Sequence, residues 1–81
     1  METRVAVLSI IVEDYEAANQ LNELLHEYGQ YIIGRMGIPY KERGISLISV
    51  ALDAEPDVIS SLTGRLGQIQ GVSVKAAISK K

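Results

Sequence analysis

Between Tyr31 and Leu52 the chain reads YIIGRMGIPYKERGISLISVAL, an apolar run at each end and a glycine-punctuated, charged middle. Runs this rich in Ile, Val, Leu and Tyr read as strands, here Gln30 to Met36 and Ile45 to Leu52. Gly37 to Gly44 lies between them or extends them. Gly34 and Gly37 within a strand pattern point to a bulge or a close backbone approach. Pro39 has no amide to give a ladder, so it belongs at a sheet edge or in the turn. Two strands alone are marginal in water, so the rest of the chain must supply what covers them.

The rest supplies two more strands and two helices. Arg4 to Val12 (RVAVLSIIV) is apolar at almost every position and reads as a central strand. Asp14 follows as a helix N-cap, with Glu16 in the first turn. From Tyr15 to Tyr28 the period changes to that of a helix, with Ala17, Leu21, Leu24, Leu25 and Tyr28 on one stripe and Gly29 as the stop. A second helix begins near Pro56, carries Val58, Ile59, Leu62, Leu66 and Ile69, and ends before Gly71. Gly64 and Gly67 weaken it or let it pack closely on a sheet. Val72 to Ser79 alternates as an edge strand. The order β-α-β-β-α-β predicts one α+β domain over residues 1–81, a ferredoxin-like sandwich of four antiparallel strands with both helices on one face.

That architecture leaves one sheet face bare, and the sequence does not make it polar. The first and third strands are mostly apolar on both of their alternating faces. Tyr31, Ile33, Ile45 and Leu47 are expected on the bare side. An apolar face larger than a few hundred Å² rarely stays exposed. At 81 residues the chain is short, without cysteine, and 47% hydrophobic. Domains of this size hide at most about two-thirds of their unfolded surface and gain from a partner. The expectation is a homo-oligomer, dimer or tetramer, joined through this face or edge to edge.

Composition excludes several functions. The net charge is −2 from 8 basic and 10 acidic residues, with no basic stripe, so direct nucleic-acid binding is not expected. No apolar run approaches a membrane span and the first residues lack a signal-peptide pattern, so a cytoplasmic protein is the expectation. With one histidine and no Ser-His or Cys-His pairing evident, no catalytic residue is assigned and the chain is read as a non-enzyme. No cofactor is specified, and no metal site is expected, because His26 with Glu23 or Glu27 lacks a third ligand.

The candidate ligand-binding residues are Asp14, His26, Arg35, Tyr40 and Arg43. Each has a simpler structural reading. Asp14 caps a helix, and His26 sits near the negative end of that helix. Arg35, Tyr40, Lys41, Glu42 and Arg43 surround a turn whose charges blunt an exposed edge, or else meet a phosphate or carboxylate.

The segments LHEYGQYIIGRMGIPYKERGISLISVALDA and ISSLTGRLGQIQGVSVKAAISK resemble the small ACT-like proteins described as regulators of the iron-only hydrogenase system. YGQYIIGRMGIPY is the most specific part, and the resemblance runs from about Val5 to Lys80. It implies an ACT-like domain similar to the ligand-sensing domain of nickel-responsive repressors, and a regulatory role exerted on a hydrogenase-system protein or through a small effector. A scaffold for hydrogenase maturation without a ligand is the alternative. The repressors' nickel-binding histidines and cysteine are replaced by Met36, Ile38 and Gly44 in roughly those positions, so the resemblance carries no nickel site. The first strand–helix loop, Val12 to Glu16, lacks the glycine of amino-acid-binding ACT domains. A DNA-binding arm of the repressor kind is not expected.

Overall fold

The structure is a computed structural model that describes residues 2–81. Strand β1 (Arg4–Val12) leads into helix α1 (Ala17–Glu27), a single 3₁₀ turn (Gly29–Tyr31) and strand β2 (Ile32–Tyr40). A second 3₁₀ turn (Lys41–Arg43) joins β2 to β3 (Ile45–Ala54), and α2 (Pro56–Gly67) and β4 (Val72–Ile78) complete the chain. The strands form one antiparallel sheet in the order β2-β3-β1-β4. This is the α+β ferredoxin-like sandwich, with both helices on one face.

Alternation along the central pair explains why the core sits where it does. Ala6, Leu8, Ile10 and Val12 of β1 point to the helices, as do Val50, Leu52 and Ala54 of β3, and all are buried. Leu21, Leu24 and Leu25 of α1 and Ile59, Leu62 and Leu66 of α2 close over them. Val72 and Val74 of β4 join from the edge. No polar side chain is buried among the described residues, so the core holds by apolar area and shape alone.

Several boundaries differ from the sequence reading, each for a local reason. Helix α1 starts at Ala17 with Glu16 as its cap residue, not at Asp14. Asp14 and Tyr15 first close a turn: the Ala17 amide donates to the Asp14 carbonyl at 3.0 Å, and the Glu16 amide donates to Asp14 Oδ1 at 2.9 Å. Asp14 therefore orders the approach to the helix rather than its first turn. Strand β2 begins at Ile32, since Gly29–Tyr31 continue to curl after α1, and it runs through Pro39 to Tyr40. As an edge strand it tolerates the proline. The turn narrows to Lys41–Arg43 and closes on Gly44, whose φ of 67° suits glycine. The register slips between Ile32 and Gly34, so Ile33 is the extra residue of a bulge.

The two α2 glycines separate in role. A Cβ on Gly67 would lie 3.7 Å from Val74 Cγ1, an ordinary contact between helix and sheet, whereas a Cβ on Gly64 would meet nothing within 4 Å. Gly64 is an exposed interior helix position with no packing reason to be glycine. Gly64→Ala is expected to raise the unfolding free energy by about 0.5–1 kcal/mol, read as a higher urea midpoint at unchanged slope.

Candidate functional site

Three surfaces remain once the core is closed. The first is the sheet face opposite the helices. Val5, Val7 and Ile11 of β1, Leu47 of β3 and Met36, Ile38 and Tyr40 of β2 stand on it, each between about two-fifths and three-fifths exposed. Across its middle runs a more polar row, Met36–Ser49–Ser9–Lys75, in cross-strand register. The small serines leave a hollow of about 220 Å³ bounded by Ile11, Met36, Ile38 and Leu47. Among the sequence candidates, Leu47 and the half-buried Ile45 lie on this face, and Ile33 projects at the bulge, 63% exposed. Tyr31 does not belong to it. It sits in the 3₁₀ turn before β2 and packs against the helix-side core, with its ring 6.3 Å from that of Tyr28.

The second surface is a small cleft where the first strand–helix junction meets the β2–β3 turn. Tyr15 and Ala18 form one wall, Pro39, Tyr40, Lys41 and Gly44 the other, and Val12, Ile45 and Ser46 the floor. Its enclosed space is about 60 Å³. Tyr15, which the sequence reading passed over, is 79% exposed at the rim. Of the charged candidates, Arg43 lies in the adjoining turn without lining the cleft. Arg35 is not at the turn. It pairs with Val50 in mid-strand, on the helix side, and donates from Nη2 to Asn22 Oδ1 of α1 at 2.7 Å. That is five residues, or roughly 17 Å of strand, from Tyr40.

The third is a wide groove of about 870 Å³ between the C-terminal ends of α1 and α2. It is lined by the exposed side chains of His26, Glu23, Glu27 and Arg65. Among the described residues no group of three His, Cys, Asp or Glu side chains is placed to hold a metal ion. Beside the groove lies a cluster that the sequence did not signal. Tyr28 Oη shares a hydrogen bond with Ser61 Oγ at 2.9 Å and accepts another from Arg65 Nη1 at 3.2 Å. Arg65 also pairs with Glu27 at 3.0 Å and lies 5.6 Å from the Tyr28 ring centre. These contacts tie the end of α1 to α2.

The bond from Ser61, and then that from Arg65, hold the Tyr28 phenol below its usual value near 10. The folded value is the lower one. The resulting stabilisation is therefore complete only above the unfolded value and is lost as pH falls through the folded one. Ser61→Ala is expected to move the Tyr28 ionisation upward, measured as phenolate absorbance at 295 nm against a Tyr28→Phe reference.

No described helix is long and apolar enough to cross a membrane. The family model described as TM1266-like, "Iron-only hydrogenase system regulator, putative", matches residues 4–76. The chain belongs to this TM1266-like family. Its structure superimposes on that of the uncharacterized protein TM1266 from Thermotoga maritima with a TM-score of 0.93 and 40% identity, covering 98% of this chain and 100% of that one. A "Putative nickel-responsive regulator" from Saccharolobus islandicus is 30% identical over 66 residues, which is 82% of this chain and 49% of the relative. The chain thus spans about half the length of the curated relatives it matches. The C-terminal domain of the MgtC protein from Mycobacterium tuberculosis shares the fold alone, at 13% identity and a TM-score of 0.74 over 95% of this chain and 88% of that one.

Proposed function

We propose that this member of the TM1266-like family is a non-enzymatic regulatory module of the iron-only hydrogenase system: one ACT-like domain over residues 1–81, cytoplasmic, homo-oligomeric, and responsive to a small effector or a partner protein. The observation that carries the reading is the cleft between the first strand–helix junction and the β2–β3 turn. Two segments distant in sequence meet there over Val12, Ile45 and Ser46. Tyr15 and Lys41 at its rim offer a phenol and a cation for orienting a ligand, and Tyr40 lines it from the end of β2. Asp14 orders one wall from behind. Arg43, in the adjoining turn, is within reach of a ligand that overhangs the cleft.

The matched relatives are named nickel-responsive. We infer a different response here, because Met36 and Ile38 offer no imidazole on β2 and Gly44 no thiolate before β3. His26 stands apart, in the last turn of α1.

A thermal-shift screen of amino acids, nucleotides and divalent metals tests the reading. A dose-dependent rise in Tm with one organic class, lost in Tyr15→Ala, is the expected result. A rise with nickel alone overturns the ligand class. No rise with any of them, from a protein that remains oligomeric, favours the scaffold reading, which the apolar open face independently supports.

A further inference from the structure

The open face needs an occupant, and both sheet edges are guarded against strand addition. On β2 the guard is the bulge at Ile33 together with Pro39, which has no amide to offer. On β4 it is Lys75. The apolar side chains standing on the face expose on the order of several hundred Å², approaching the ~800 Å² per partner that stable interfaces bury. We infer that a second copy of this chain packs on the face, with a two-fold axis running along the strands between β1 and β3.

The axis follows from the register. An isologous contact sets residue i against j′ and j against i′. An axis between β1 and β3 exchanges those strands, and β2 with β4, so the two faces overlap fully. Ile11 then meets Leu47′, both from the row in which they already pair within one chain. Large residues fall on small ones, Val7 on Ala51′ and Ile38 on Ser73′. Ser9 and Ser49, whose hydroxyls make no hydrogen bond within the described chain, come to face each other across the axis. Lys75 lies over Met36′, which takes its methylene stem while the ammonium reaches the rim. The perpendicular axis through the serine row is disfavoured because it sets Lys75 against Lys75′.

The inference rests on the homo-oligomeric reading, and its test separates the two. The chain has no cysteine, so single-cysteine variants report unambiguously. Ile38→Cys and Ser73→Cys proteins, altered on the outer strands far from the axis, are mixed, allowed to exchange, and treated with a short bismaleimide. The expected product is a mixed cross-linked dimer, several-fold above what either variant gives alone. Leu47→Glu is expected to raise the dimer dissociation constant at least about tenfold, read by light scattering across a dilution series. Ser60→Glu, on the exposed outer side of α2, leaves it unchanged. Circular dichroism of each variant checks that the fold is retained. A wild-type dimer whose mixed variants do not cross-link overturns the arrangement and leaves the oligomer standing. A wild-type mass of 8.8 kDa at micromolar concentration overturns both.

Discussion

Leu8→Ala is expected to lower the unfolding free energy by about 2–5 kcal/mol. Leu8 is fully buried on the central strand, paired with Val50 on one side and Ala76 on the other, under both helices. The truncation removes apolar contact and leaves a cavity that neighbours on a four-stranded sheet cannot collapse to fill. A domain of this length has roughly 4–12 kcal/mol in all, so the loss is a large share of the total. Urea unfolding of wild type and variant measures it. Val7→Ala, one residue along, is the informative contrast. Val7 is 39% exposed on the open face, so its truncation costs little in a lone chain. In a dimer joined through that face the cost of Val7→Ala grows as protein concentration rises, whereas the Leu8→Ala loss does not depend on concentration in this way. A Leu8→Ala loss below about 1 kcal/mol is incompatible with the core described above.

The contrast between neighbours Leu8 and Val7 also shows what could be read before the fold was seen. In β1 nearly every residue is apolar, so the sequence placed the strand at the centre without choosing which side faced the helices. The helix stripes were unambiguous, because Leu21, Leu24 and Leu25 repeat with a period that polar residues interrupt. The edge strand was harder. Pro39 and two glycines mimic a turn, and only the pairing with β3 shows β2 continuing to Tyr40. That error in extent set Arg35 beside the turn when its register partner is Val50. Tyr31 failed for a related reason. A 3₁₀ turn after α1 rotates it to the helix side, and no periodicity records such a rotation. The cleft itself was legible only as two separate loops. Tyr15 carried no signal and Tyr28 showed only as part of the helix stripe, since the cleft and the bond to Ser61 join residues distant in sequence.

One loop contact joins the fold to the proposed site, and its loss is expected to be as large as that of a core leucine. Gly71 precedes β4 with φ at 85°, and its carbonyl accepts the Glu13 amide at 2.7 Å. A Cβ there would stand 2.5 Å from Asp14 Cβ and 3.2 Å from the Asp14 nitrogen. Gly71→Ala therefore combines a left-handed backbone, about 1–2 kcal/mol, with overpacking of about 1–3 kcal/mol. Gly44 provides the control. Its φ of 67° is also left-handed, but a Cβ there meets nothing within 4 Å, so Gly44→Ala carries the backbone cost alone. The double variant Asp14→Gly with Gly71→Ala removes the closest contact and is expected to recover part of the loss, a coupling that a double-mutant cycle in urea resolves. Equal costs for Gly71→Ala and Gly44→Ala contradict the close approach. The consequence reaches the cleft, because the backbone that must yield is Asp14, whose carboxylate fixes the Glu16 amide and with it the turn presenting Tyr15. At a temperature where the variant is still folded, its response to any effector that raises the wild-type Tm is expected to weaken, while Gly44→Ala, on the opposite wall, changes that response without the same loss of stability.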